Sequence, residues 1–201
     1  MNAFELSDII KQRRSIRRYE DRPVDPVVLR RLLEMACWAP SAHNRQPWRF
    51  AVITDPARRA ALAQAMGNRF RSDLAADGLP QDQIERQIAR SYARISGAPA
   101  VVLLFLSMAD MDQYPDSRRQ EFERVMAIQS VALAAQNFLL AAQAEGLGAC
   151  WICAPLFCPD VVRQVLALPA DWETQALLTV GYPAEQRVSE REPLEKKILW
   201  Y

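Results

Sequence analysis

The sequence predicts an α+β sandwich, helices packed over one central sheet in a single domain spanning residues 1–201. Three observations predict it. Apolar runs of strand length stand singly between helical patterns of unequal length, no segment repeats, and 50% of the 201 residues are apolar, enough to fill one core. A doubly wound sheet would alternate strand and helix regularly instead.

In chain order, Ser7 and Asp8 open an amphipathic stretch that runs through Arg14. Asp25-Pro26 pairs an N-cap with a proline in the first helical turn, and Leu29, Leu32, Leu33 and Ala36 share one face of the helix that Pro40 stops. Trp48 to Thr54 reads as a strand, and Asp55-Pro56 repeats the capping signal for a helix through about Met66. Gly67 to Gly78 is polar and weakly patterned. With the charged helix from about Pro80 to Ile95, striped by Ile84, Ile88 and Ile95, it forms a hairpin over 67–96 that is expected to be a mobile lid.

Ala100 to Leu106 is a continuous apolar run, the pattern of a strand covered on both faces. The stretch from about Arg118 to Glu145 is apolar nearly all round from Val125 onward and reads as the central buried helix, ended by Gly146 and Gly148. Ala149 to Ala154 is expected as a strand, Pro159 to Leu168 as a helix and Gln175 to Tyr182 as a strand. The tail 183–201 ends Ile198-Leu199-Trp200-Tyr201, and such an apolar end buries itself either on a partner subunit, as an exchanged dimer arm, or on its own core.

Twenty-five Lys and Arg against 24 Asp and Glu leave a net charge of +1, so bulk charge gives no reason to expect a nucleic-acid partner and any anion site must be local. The four cysteines form no disulfide framework and no leader precedes the first helix, so a cytoplasmic protein is expected. The apolar stretch Ala98 to Met108 is too short to span a bilayer. His43 is the only histidine, which excludes metal motifs that need two, and no metal is expected. On a strand, Cys150 and Cys153 would point to opposite faces, which favours small buried cysteines over a redox pair or half a zinc site. No Gly-x-Gly-x-x-Gly occurs, so a nicotinamide cofactor would stack in an open pocket. Trp48, Trp151 and Phe157 are candidates to line it, with burial in the core as their alternative.

Two segments carry chemistry. Lys11 to Arg18 places five cations in eight residues, and Arg13, Ser15 and Arg17 can hold one phosphate through guanidinium forks and a hydroxyl; a solvated face or a nucleic-acid patch are the alternatives. Ala39 to Phe50 is a loop whose Ser41, Asn44 and Gln46 suit the edge of a heteroaromatic ring, or merely cap the neighbouring elements.

Arg13-Arg-Ser-Ile-Arg17, Ala39-Pro-Ser-Ala-x-Asn-x-Gln-Pro-Trp48, Glu145-Gly-Leu-Gly-x-x-Trp-Ile152 and Val180-Gly-Tyr-Pro183, in this order over nearly the whole chain, resemble the nitroreductase family of FMN-dependent oxidoreductases. The resemblance implies a mainly antiparallel sheet and a homodimer with FMN at the subunit interface. It implies that Arg13, Arg14, Ser15 and Arg17 contact the phosphate and pyrimidine edge, that Pro40, Ser41 and Asn44 form the flavin loop, and that Ile152, Cys153 and Ala154 lie against the reactive edge. Where the family has a Lys-x-Arg pair on the phosphate, this chain has Ser189 and Arg191. Arg71 to Pro80, Tyr114 to Asp116 and Phe157 to Glu173 are further similar to the nitroreductase-like domain of the γ-glutamyl ligase FbiB. That similarity implies hydride transfer to the enolpyruvyl-type double bond of a deazaflavin coenzyme precursor, with Arg69, Arg71 and His43 as candidate substrate contacts. Arg86, Arg90 and Arg94 are further cations of the hairpin, with a solvated face favoured for Arg86 and Arg94. A generic NAD(P)H-dependent nitroarene or quinone reductase and a non-catalytic flavin carrier are the alternatives.

Overall fold

The strand β2, Ala100–Leu106, organises the molecule. In the computed structural model, which describes residues 3–201, all seven of its residues are buried. It pairs antiparallel with β1 (Trp48–Ile53) on one side and with β4 (Glu173–Gly181) on the other, and β3 (Gly148–Ile152) pairs antiparallel with the far edge of β4. The strand order is β1-β2-β4-β3.

Alternation along β2 separates two cores. Val102, Leu104 and Leu106, with Ala176 and Leu178 of β4, face helices α2 (Pro26–Cys37) and α5 (Ser117–Ala144). Val101, Leu103 and Phe105, with Leu177, face α3 (Pro56–Ala76), α4 (Gln81–Ser96) and α6 (Pro159–Leu166). Helices on both faces leave no solvated side, which is why β2 carries an unbroken apolar run. The expected α+β sandwich is the observed fold, with an antiparallel sheet throughout. Helix α1 (Ala3–Gln12) lies on α5.

Both Asp-Pro signals mark helix starts. The Asp25 carboxylate accepts from Val27 N at 2.7 Å and that of Asp55 from Ala57 N at 3.0 Å. Several boundaries differ from expectation. Helix α1 begins four residues earlier than Ser7 and ends at Gln12, which places Arg13 and Arg14 in the connection after it. Gly67 to Gly78 is not irregular: α3 continues to Ala76, burying Leu62, Met66, Gly67 and Leu74, while its polar residues are the solvent face, with Gln64 Nε2 donating to Asn68 Oδ1 at 2.9 Å. Helix α4 crosses at Gly67, where an added Cβ would meet Ile88 Cγ2 at 3.4 Å, the limit of ordinary contact. The α3–α4 pair is thus a helical hairpin, turned at Gly78 with φ +78° and packed on its own small core of Phe70, Leu74, Ile84 and Ile88. Strand β3 stops at Ile152, followed by a 3-10 turn over Ala154–Phe157, and α6 stops at Leu166 because Ala167 is left-handed with φ 51°.

Helix α5 has the length to cross a bilayer and contains an 18-residue stretch with a mean hydropathy of 1.6, but Ala127, Val131, Ala134 and Phe138 pack it into the core. Its outer stripe of Phe122, Val125 and Leu133 is exposed, as are Leu6 and Ile10 of α1, Met35 of α2 and the adjoining Trp38. The tail does not bury its end on its own chain: Leu199 and Trp200 are 77% and 87% exposed.

Candidate active site

The basic segment is laid along β3. Ile16 N donates to Ala149 O at 3.1 Å and Ser15 bridges Ala149. Gly148 permits this approach, because a Cβ there would lie 2.7 Å from Ile16 Cβ. The Tyr19 hydroxyl, 2.6 Å from Ile16 O and 2.7 Å from Thr179 Oγ1, pins the far end, and burial keeps it protonated far above the usual phenol range. Arg17 N donates to Glu185 Oε1 at 2.7 Å. Arg187, bonded to the other oxygen at 3.0 Å, is the main cause that holds the Glu185 carboxyl below its usual range.

Arg14 turns back onto the end of α1, donating to Lys11 O and, at 2.8 Å, to Arg13 O; its Nε is buried without a partner. Burial, then repulsion from Arg191 and Arg14, lowers the Arg13 pKa. Among the described residues no carboxylate pairs with Arg13, Arg14, Arg17 or Arg191. Several guanidiniums held together without a counter-charge are a donor set for a dianion, and a phosphate monoester fits it.

Four residues along β3, a pocket of about 250 Å³ opens between the strand end and α4. Ile152, Ala154 and Ile95 give it an apolar floor, and Gln87, Ser91, Arg90 and Arg94 line the rest. Cys150 is buried beside it. Burial raises that thiol's pKa, against the opposing pull of Arg17, then Arg94, the Ser15 hydroxyl and Arg187, so these groups converge on one region of the sheet edge. Cys153 falls outside the strand, is exposed, and accepts from Trp151 Nε1 at 2.9 Å; all four cysteines are free.

Arg69 lines a neighbouring pocket of about 310 Å³ with Ala154 and Phe157, but its guanidinium is forked onto Asp160 at 3.2 and 2.5 Å. Arg71 is forked onto Glu85 at 3.1 Å through both nitrogens, and Arg86 pairs with Asp82 at 2.6 Å. Trp48 is core, 5% exposed, and Trp151 packs against the α2–α5 core.

The second candidate segment is strained. His43, Asn44 and Gln46 all have φ between 50° and 54°, the left-handed region that non-glycine residues seldom occupy. Gln46 N donates to Ser41 Oγ at 3.0 Å, Ala42 N to Ser130 Oγ at 3.3 Å, and Arg45 pairs with Asp112. Below lies Glu123, fully buried, with one oxygen accepting from Asp112 N at 3.2 Å and the other unpartnered. His43 Nε2 is 3.9 Å from Asp112 Oδ2, and ligand atoms of His43, Asp112 and Glu123 lie within 4.8 Å of one another; Arg45 already neutralises Asp112.

The structure therefore gathers Arg13, Ser15, Arg17, Arg191, Ile152, Cys153 and Ala154 along the β3 edge. It leaves Pro40, Ser41, His43 and Asn44 beside the start of β1, at the diagonal corner of the sheet. Three strand spacings make that roughly 14 Å across; along the strands the Arg13 end at Gly148 lies past the level of Ile53, roughly 17 Å or more from Trp48, whereas Ile152 is level with Ala51, roughly 10 Å from it. Sequence reasoning did not find Tyr19, Asp112, Glu123 or Glu185. Glu123 left a signal, since it falls on the same helical stripe as Ala127 and Ser130, where a charge is out of place.

A cluster of arginines without carboxylate partners among the described residues thus lies beside an open, partly apolar pocket on this antiparallel sandwich. The chain belongs to the nitroreductase family, whose family model matches residues 10–182. It is 32% identical to an NADH dehydrogenase of Thermus thermophilus, with 94% of this chain and 92% of that one covered. It is equally 32% identical to a 5,6-dimethylbenzimidazole synthase of Rhodospirillum rubrum, over 90% of this chain and 83% of the relative. Among solved structures, a Desulfovibrio desulfuricans protein crystallised as a nitroreductase in complex with FMN superposes with a TM-score of 0.75 at 31% identity, covering 100% of this chain and 98% of the other.

Proposed function

We propose that the protein is a cytoplasmic, homodimeric reductase that binds FMN, draws reducing equivalents from NAD(P)H and passes them to a small-molecule acceptor. The observation that carries this reading is the cluster of Arg13, Arg14 and Arg191, in which Arg13 is repelled by the other two and none has a carboxylate partner among the described residues. When bound, FMN supplies two-electron chemistry, so that NAD(P)H, a proton and the acceptor give NAD(P)+ and an acceptor carrying two more hydrogens.

The residues divide the work of holding it. Arg13 and Arg191 take the phosphate, Ser15 and Arg17 the adjoining polar edge, and the backbone of Ile152, Cys153 and Ala154 forms the wall beside the ring. Pro40, Ser41 and Asn44 stand at the wrong corner of their own sheet, so they serve a second copy. A two-fold axis lets each chain give one corner and receive the other, producing two composite sites. The exposed stripe of Phe122, Val125 and Leu133 with Met35 and Trp38 supports such a partner, and so do the exposed Leu199 and Trp200 at the end of the arm.

For the acceptor, the resemblance to the FbiB domain points to the enolpyruvyl double bond of a deazaflavin precursor, which gains one hydride and one proton on reduction. The specific observation favouring it over a neutral quinone or nitroarene is the unpaired Arg90 and Arg94 at the pocket, since such a precursor is anionic. The test is direct: measure the visible spectrum of the purified protein, identify released chromophore by mass, and follow NAD(P)H oxidation with menadione and with the unsaturated precursor. Bound FMN and a precursor product heavier by two hydrogens are expected. A colourless protein that takes up no added FMN overturns the reading. Turnover of menadione alone overturns only the choice of acceptor.

A further inference from the structure

We infer that Arg90 and Arg94 form an anion seat that selects acceptors bearing a carboxylate or phosphate; this rests on the flavin reading above. The two are spaced i, i+4 on α4 and both line the pocket whose floor is Ile152 and Ala154. Like charges at that spacing oppose each other on a helix and need a compensating reason. The same row begins with Arg86, which Asp82 neutralises, and the other arginines of the hairpin, Arg69 and Arg71, are each forked onto a carboxylate. Pairing fails only where the row reaches the pocket: among the described residues, neither Arg90 nor Arg94 has an ion-pair partner.

The seat adjoins the flavin-binding cluster, since Arg17 and Arg94 both act on the buried Cys150, but it is centred farther along the strand. Gly148, where the Arg13 strip crosses, and Ile152, at the pocket, are four residues apart on β3, roughly 13 Å. FMN has a single phosphate, and the Arg13 cluster accounts for it. What remains, at the rim of the pocket whose wall Ile152 and Ala154 give to the flavin ring, are donors on Gln87 and Ser91 and two guanidiniums without ion-pair partners among the described residues, placed to meet an acidic substituent of the acceptor. That combination recognises an aromatic or conjugated acceptor with an acidic substituent and gives a neutral isostere nothing to pair with.

The experiment compares 4-nitrobenzoate with 4-nitrobenzamide as acceptors for FMN-loaded protein, and titrates non-reducible benzoate and phenyl phosphate against the flavin visible band. Wild type is expected to prefer the charged acceptor by roughly 10- to 100-fold in kcat/KM, as one or two charge-assisted hydrogen bonds imply. In R90Q/R94Q that ratio falls to about one through KM, and the binding of benzoate or phenyl phosphate weakens by the same factor. R90K/R94K, which keeps the charge, retains most of the preference; it also controls for misfolding, as does the melting temperature of both variants. The stronger of the two titrations identifies the acidic group. An unchanged ratio and unchanged ligand affinity in R90Q/R94Q overturn the seat while leaving the flavin reading intact. A rise in KM for NADPH but not NADH, or loss of FMN from the variant, reassigns the arginines and equally overturns it. A wild-type chain that binds no FMN overturns both readings together.

Discussion

Replacing Arg13 by Gln should move two properties in opposite directions. In the absence of an anion, Arg13 is partly buried, has no carboxylate partner among the described residues and is repelled by Arg191 and Arg14. Removing its charge relieves that repulsion, so the FMN-free variant should melt at the wild-type temperature or about 1–2 °C above it, for roughly 0.5 kcal/mol. FMN, however, loses a charge-assisted fork worth roughly 1.5–3 kcal/mol, which weakens its binding by roughly 10- to 150-fold. At an FMN concentration of about 100 times the wild-type Kd, binding stabilises wild type by about 2.7 kcal/mol, or roughly 5–10 °C in a chain of this size. A variant weakened about 30-fold should gain only about 0.9 kcal/mol and roughly 2–3 °C. Fluorescence titration of FMN and melting curves with and without it measure both. An FMN-free R13Q protein that melts several degrees lower while binding FMN as tightly as wild type would refute the reasoning.

Two other outcomes follow from the same geometry. Gly148→Ala puts a Cβ 2.7 Å from Ile16, so the Arg13 strip must lift from β3; a loss of about 1–3 kcal/mol in stability together with weakened FMN binding is expected from urea melts and titration. Cys158, buried, has its pKa raised from 9.0 to about 11. The folded state therefore keeps that proton where the unfolded chain has lost it. Its contribution to stability is full below about pH 9 and is lost as pH rises through about 11. At pH 8 a thiol reagent should label the exposed Cys37 and Cys153 rapidly and reach Cys150 and Cys158 only on unfolding. Rapid labelling of all four in the native protein would contradict the packing around β3 and α6.

The fold was largely legible because its signals are local. The unbroken run Ala100–Leu106 reported a strand with helices on both sides, and the two Asp-Pro pairs located helix starts through cap chemistry that needs only neighbouring residues. Helix α3 was cut short at Met66 because beyond it only Gly67 and Leu74 are buried among charged and polar positions, and their burial against α4 is a tertiary contact. The basic strip and the Ser41–Asn44 loop were both visible as donor sets. Their placement at diagonal corners depends on the strand order β1-β2-β4-β3, which no local pattern encodes. For the arginines of the hairpin, sequence favoured Arg69 and Arg71 as site residues and solvent for Arg94. The structure gives Arg69 and Arg71 carboxylate partners from α6 and α4, and leaves Arg94 at a pocket.

Complementation between two crippled chains tests the composite site most directly. One chain carries R13A/R17A and so lacks the phosphate half; the other carries S41A/N44A and lacks the ring half. Each alone should be folded and bind little FMN. After mixing and subunit exchange, every heterodimer should regain one intact site, giving about one FMN per four chains in a statistical mixture and a matching fraction of NAD(P)H turnover. If both halves of the site belonged to a single chain, no mixture would contain an intact site, and FMN binding would stay at the level of the separate variants.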